Sequence, residues 1–120
     1  MTQMTYVFKK DNARKIHKFG VDITLYDTDA PSGVVYEEVE KGHLQEWYSD
    51  MSTYQWFIIE GSGTYVIDGE KHDVTQGDLV VVSPGHKMYY YGTMKMVLVT
   101  TPKFDPAHEH EVRVIDESEF

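Results

Sequence analysis

Histidine and tyrosine are the side chains of this sequence best suited to chemistry. The chain has six histidines and nine tyrosines but no cysteine, which excludes thiolate chemistry and disulfide bonds. His108 and His110 have the spacing of a metal-binding pair, because residues two apart on a strand share a face. Their charged neighbours, and their place after the Thr101-Pro102 dipeptide, favour a solvated polar tail at residues 108–111. We adopt that interpretation.

Residues 83–92, SPGHKMYYYG, combine a Pro-Gly turn with a histidine and three consecutive tyrosines. Strand alternation places Met88 and Tyr90 on one face and Tyr89 and Tyr91 on the other. A buried phenol needs a hydrogen-bond partner, so inward tyrosines favour a polar pocket over a dry core. A histidine beside a phenol can also supply a base and a proton donor.

The elements that must position these side chains are short β-strands. Segments such as VDITLY, YQWFIIE, TYVIDG and DLVVVS are β-branched or aromatic, and turn residues bound them. Asp68-Gly69 is a strong two-residue hairpin signal, because a type I′ turn needs two positive φ angles. No segment has the period of an amphipathic helix of three turns. The pattern predicts an all-β fold, either a sandwich or a barrel.

Length and charge limit the possible functions. The chain has 120 residues, which corresponds to one domain, and a formal net charge of −9. That charge argues against binding to nucleic acid or to anionic membranes. The N-terminus lacks an apolar signal segment, and no run of apolar residues is long enough to span a bilayer. We therefore expect a cytoplasmic protein with no membrane partner.

The order of the turns resembles the central segment of the cupin superfamily, in particular its small single-domain members. The resemblance rests on Glu60-Gly61-Ser62-Gly63, Asp68-Gly69, Gly77-Asp78 and Pro84-Gly85, and it extends over residues 34–106. It implies a double-sheet β-barrel, or jelly roll, whose wide interior holds the site. We expect one domain over residues 1–120, with a barrel core at about 20–102, an N-terminal arm and an acidic C-terminal tail.

The same resemblance implies a metal site of three histidines and a glutamate, but this sequence lacks those ligands. The corresponding positions hold Tyr48 and Asp50 (or, one residue earlier, Trp47 and Ser49), Tyr54 and Met88. A thioether and phenols do not form a site for a hard or borderline divalent ion. We therefore predict no metal and no other cofactor. An atypical metal site would have to use His43, Asp50 or His86.

The cupin comparison turns one face of each strand inward and predicts an aromatic pocket, with His43 and His86 flanking the mouth of the barrel. The predicted ligand-binding residues are Tyr48, Asp50, Tyr54, Trp56, Tyr65, His86, Met88 and Tyr90. The alternative is that these side chains simply fill the barrel, as large aromatic residues do in small barrels.

Three functions are compatible with these residues. The first is a metal-free protein that binds a small sugar-like or aromatic molecule. The second is a cofactor-independent or atypical-metal enzyme, such as a sugar isomerase or epimerase, in which His86 works with Tyr54 or Tyr90. The third is a structural or regulatory barrel with a filled interior. The scarcity of arginine, only Arg14 and Arg113, weighs against a diphosphate-bearing substrate.

The N-terminal segment TYVFKK, residues 5–10, is apolar and has no obvious hairpin partner. Exposed edge strands in natural proteins are usually covered or paired. We therefore predict a homodimer in which N-terminal segments or sheet edges meet across a two-fold axis.

Overall fold

The computed structural model describes residues 5–120, and nine antiparallel strands dominate it. The strands are β1 (Arg14–Lys18), β2 (Val21–Leu25), β3 (Gly33–Val39), β4 (Gln45–Ser49), β5 (Thr53–Ile67), β6 (Glu70–Thr75), β7 (Leu79–Val82), β8 (Met88–Thr101) and β9 (Glu109–Val114). Three single 3-10 turns, Lys10–Asn12, Pro106–His108 and Glu117–Glu119, are the only helical segments of this part of the chain. None of those turns could span a bilayer. The all-β fold is confirmed.

Two long strands organise the sheet into a curled, barrel-like wall. β5 has 15 residues and β8 has 14, and they pair with each other along almost their whole length. One path of the sheet runs β1-β2-β3-β8-β4-β9, while β5 also pairs with β6 and β7. Strands of this length bend, so β8 is a neighbour of β3, β4 and β5 at different points along its course.

Two hairpins turn through pairs of residues with positive φ. Asp68 and Gly69 have φ of 51° and 80° and join β5 to β6, as the Asp-Gly signal predicts. Phe19 and Gly20, with φ of 53° and 81°, join β1 to β2 in the same way. The sequence analysis missed this second hairpin, because phenylalanine is an uncommon residue at positive φ.

The three consecutive tyrosines lie on both faces of β8, and other parts of the chain cover each face. Tyr90 is buried in the barrel interior, as the cupin resemblance implies. Tyr89 is also buried, with the Arg113 guanidinium 5.6 Å from its ring centroid. Tyr91 stacks on Phe120 at 5.6 Å between ring centroids. The C-terminal segment therefore shields the two tyrosines on the outer face.

The sheet extends beyond the predicted barrel core at both ends. β1 pairs with β2. β9 pairs with β4, which places Glu109 opposite Ser49 although the two residues are far apart in the sequence. The interpretation of residues 108–111 as a solvated tail is wrong, because His108, Glu109 and His110 are partly buried. Residues 5–9 form no strand, and the predicted homodimer remains a prediction.

Candidate functional site

A cavity of about 460 Å³ lies against the concave face of the sheet, which is a suitable size for a small organic ligand. Strands β1, β2, β3, β4, β5, β8 and β9 all line it. Within each strand except β9 the lining residues alternate along the chain, as a pleated sheet requires. The part of the interior that these residues line is therefore an open pocket.

The inner wall of the cavity carries a buried carboxyl group. Glu37 on β3 is 5 % exposed, and its Oε1 accepts a hydrogen bond from Trp56 Nε1 at 2.9 Å. The Tyr90 hydroxyl lies 3.5 Å from the same oxygen and donates a longer bond. Burial raises the pKa of Glu37 to about 7, and the two hydrogen bonds only partly oppose that rise.

His43 is a buried imidazole in the same cavity, and its environment keeps it neutral. Its ring stacks on Trp47 at 4.2 Å and lies 5.2 Å from the ring of Tyr90. Nδ1 is 2.7 Å from the Gln45 carbonyl oxygen, which can only accept, so Nδ1 carries the proton. Burial lowers the pKa of His43 to about 4. Nε2 thus has a free lone pair at neutral pH, and it makes no hydrogen bond to residues 5–120.

β9 brings a second carboxylate to the cavity. The Tyr54 hydroxyl donates a hydrogen bond to Oε1 of Glu109. Burial and this carboxylate together raise the pKa of Tyr54. Oε2 of Glu109 is buried and has no hydrogen-bond partner among the described residues. Nothing in the sequence analysis pointed to Glu109, because its place depends on the pairing of β9 with β4.

Two cations on β1 stand at the cavity wall. Arg14 is paired with Asp27, at 3.1 Å between Nε and Oδ2. Lys18 lies over the rings of Phe19 and Phe104, with Nζ 5.2 Å and 5.7 Å from their centroids. The hairpin at Phe19 and Gly20 therefore makes β1 part of the pocket wall.

Five of the eight predicted site residues are buried in the interior, in two layers. Tyr54, Trp56 and Tyr90 line the cavity. Tyr65 and Met88 are fully buried and do not line it, and the Tyr65 ring stacks on Tyr90 at 5.0 Å. The pocket and the filled core therefore coexist, with packed side chains beneath an open chamber.

The other three predicted residues lie elsewhere. Trp47, and not Tyr48, turns into the cavity, while Tyr48 stacks on His110 at 4.9 Å. Asp50 is exposed and binds His108 and His110, at 2.7 Å each. His86 is half exposed and lies 2.6 Å from Asp68.

Glu37 was also missed, although alternation offered a signal. In the segment VVYEEVE, Val35, Glu37 and Val39 share one face of the strand, so the acidic residue between two valines must point inward. His43 was assigned to the barrel mouth, but its burial could not be read from a loop sequence.

The residues at the metal-ligand positions do not fit a metal ion. Trp47, Tyr54 and Met88 turn inward at these positions, and indole, phenol and thioether are poor ligands for borderline divalent ions. Between residues 5 and 120 no three His, Asp or Glu side chains are grouped so that they could hold a metal.

Comparison with protein families and curated proteins gives one match. The family described as the AraC-like ligand-binding domain matches residues 47–93, the segment from β4 into β8. No curated protein matches the chain significantly.

Solved structures give stronger similarities. Pac13 from Streptomyces, described as a nucleoside dehydratase, is 33% identical over 97% of this chain and 98% of its own, with a TM-score of 0.95. Three variants of that protein were solved with uridine; one replaces a histidine by glutamine and two replace a tyrosine by phenylalanine.

Two more distant structures are similar in fold alone. Ectoine synthase from P. lautus is 15% identical over 93% of each chain, with a TM-score of 0.70. An RmlC-like cupin from Shewanella frigidimarina is 15% identical over 85% of this chain and 95% of its own, also with a TM-score of 0.70.

Proposed function

The chain belongs to the cupin superfamily, and from that premise we propose that it is a nucleoside dehydratase that binds its substrate in the cavity and removes one molecule of water. The observation that carries the proposal is His43, a buried neutral imidazole that faces the cavity with one nitrogen committed and the other free. The similarity to Pac13 along almost the whole chain supports the choice of nucleosides.

Removal of water from a sugar breaks a C–H bond and a C–O bond and forms a C=C bond. A base takes the proton, and the hydroxyl group leaves with a proton supplied by an acid. His43 Nε2 is the base in this proposal, because its low pKa keeps it unprotonated at neutral pH. The Tyr90 hydroxyl is the O–H donor in this proposal: its ring centroid lies 5.2 Å from that of His43, and its proton would leave the long 3.5 Å contact with Glu37 Oε1 for the departing oxygen.

The walls of the cavity suit a nucleoside, which is both sugar-like and aromatic. Trp47, Tyr54 and Trp56 offer ring faces to a planar base. Glu37 and Glu109 offer oxygen acceptors to hydroxyl or N–H groups. The proposal keeps the histidine–tyrosine pairing expected from the sequence but replaces His86 by His43, because His86 does not line the cavity.

The test measures uridine affinity by calorimetry and the loss of water from nucleosides by mass spectrometry. The nucleoside panel includes derivatives with a carbonyl on the sugar, since a carbonyl acidifies the adjacent C–H bond. We expect His43→Gln to bind uridine and to lower turnover about a hundredfold to ten-thousandfold. His86→Gln, an exposed histidine outside the cavity, is the control and keeps full activity. Equal turnover by the two variants would contradict the assignment of the base.

A binding protein without turnover is the second candidate, because the matching family is one of ligand-binding domains. In that case the wild-type chain binds uridine but releases every nucleoside of the panel unchanged. Absence of both binding and turnover would exclude both functions for uridine-type ligands.

A further inference from the structure

Glu37 uses only half of its hydrogen-bonding capacity within the fold. Both Trp56 Nε1 and the Tyr90 hydroxyl are directed at Oε1, at 2.9 Å and 3.5 Å. Oε2 accepts no hydrogen bond from any residue between 5 and 120. Glu37 is nevertheless 5 % exposed and lines the cavity. Oε2 is therefore available to a group that occupies the cavity.

A purely structural role does not require a carboxyl group at this position. One amide oxygen would accept the hydrogen bonds from Trp56 and Tyr90 equally well. Placing an acid on a buried β-strand is costly unless its oxygens are satisfied. An acid whose second oxygen faces an open chamber is thus better explained by recognition of a ligand than by folding.

We propose that Oε2 of the ionised Glu37 carboxylate accepts a hydrogen bond from an O–H or N–H group of the bound nucleoside and so fixes its orientation beside His43. This inference rests on the proposed function, since it names how that same cavity recognises its substrate. The donor is either a hydroxyl group of the sugar or the imide N–H of a uracil-type base.

The charges around the cavity favour a neutral ligand that donates hydrogen bonds. Glu37, Glu109 and Glu111 all line it. Of the two cations in the lining, Arg14 is already paired with Asp27 and Lys18 is held over two aromatic rings. The Glu37 carboxylate would repel a phosphate group placed next to it. In this part of the cavity a nucleoside is therefore preferred to its phosphate ester.

The central experiment compares Glu37→Gln with Glu38→Gln. Glutamine keeps an acceptor for Trp56 and Tyr90 but places an NH₂ donor where Oε2 stood, so a ligand donor would meet another donor. Glu38 is the matched control, because it is exposed on the opposite face of β3 and accepts from the Tyr36 hydroxyl at 2.7 Å. At about pH 8, where the wild-type carboxyl is ionised, we expect Glu37→Gln to weaken uridine binding about tenfold to a hundredfold and Glu38→Gln to leave it unchanged.

A series of uridine analogues identifies the donor. The 2′-deoxy, 3′-deoxy, 5′-deoxy and N3-methyl derivatives each remove one candidate O–H or N–H group. We expect one of them to lose affinity about tenfold for the wild-type chain and to lose little for Glu37→Gln, where the contact is already gone. The thermal midpoint, measured for every variant, shows whether each is folded.

A second variant keeps the inference testable if Glu37→Gln does not fold. Glu37→Asp keeps the acid but withdraws it from the cavity by one methylene, and we expect it to weaken uridine binding as well. Folded Glu37 variants that bind uridine like the wild type overturn the inference while leaving the proposed function standing. The inference is also overturned if every analogue loses the same affinity for the wild-type chain and for Glu37→Gln. Failure of the wild-type chain to bind uridine overturns the proposed function itself.

Discussion

Glu37 and His43 are two ionisable groups in one cavity, and burial shifts their pKa values in opposite directions. Burial disfavours the charged form of each, which raises the carboxyl pKa to about 7 and lowers the imidazole pKa to about 4. The imidazole is therefore neutral throughout the range in which the carboxyl titrates. Such a separation lets a single site hold an unprotonated base beside a group that exchanges a proton near neutrality.

The raised pKa of Glu37 predicts a pH-dependent difference in stability between wild type and Glu37→Gln. The folded protein holds this proton up to about pH 7, whereas the unfolded chain releases it near 4.5. Ionisation therefore costs the wild type stability as the pH rises through that window, by about 3 kcal/mol when complete. Glutamine does not titrate, so the free energy of unfolding of the variant increases relative to that of the wild type as the pH rises.

Denaturant unfolding at about pH 4.5 and about pH 8 measures this difference. His43 contributes stability that is lost as the pH falls from its ordinary pKa of 6.5 to about 4, but it is present in both proteins and cancels. A variant-minus-wild-type difference that is the same at both pH values would show that Glu37 does not have a raised pKa.

At the scale of elements, β9 is the strand that completes the site. It crosses from the 3-10 turn at Pro106–His108 to pair with β4, and it places Glu109 against Tyr54. Asp50, at the end of β4, holds it by accepting hydrogen bonds from His108 and His110. These bonds lower the pKa of Asp50, with His110 contributing most.

We predict that Asp50→Ala loosens β9 without unfolding the barrel. Amide hydrogens of residues 109–114 should exchange faster, and uridine affinity should fall because Glu109 is less well held. Asp22→Ala is the control, because Asp22 also binds a histidine, His17, at 2.7 Å on an exposed hairpin far along the sheet. Equal exchange of the β9 amides in both variants would exclude a local role for Asp50.

At the scale of the whole molecule, exposed apolar side chains at the N-terminus favour self-association. Tyr6 and Val7 are 81% and 66% exposed in a chain whose formal net charge is −9. A highly charged surface opposes non-specific aggregation, so a local apolar segment is best suited to a defined contact between two copies.

The 120-residue chain is therefore expected to be a homodimer at tens of micromolar, and a chain that begins at residue 10 is expected to be a monomer. Light scattering after size exclusion distinguishes the two states. Asp22→Ala, which leaves the N-terminal segment intact, should remain dimeric. A monomeric 120-residue chain would refute the prediction.

The sequence alone determined the parts of this protein that depend on local chemistry. The Asp68-Gly69 hairpin follows from the positive φ angles that a two-residue turn requires. Alternation of side chains along β5 and β8 assigns Trp56 and Tyr90 each to one face of its strand, and the cupin resemblance turns those faces inward. The order of the turns carried the resemblance to the all-β cupin fold.

Only the tertiary structure decided the composition of the site. His43 lies in a loop, and its burial results from stacking on Trp47 and from its backbone bond to Tyr90. Glu109 reaches the cavity because β9 pairs with β4. Local propensity and periodicity carry no information about which distant segments pair, since such contacts form by burying surface that only the folded chain brings together.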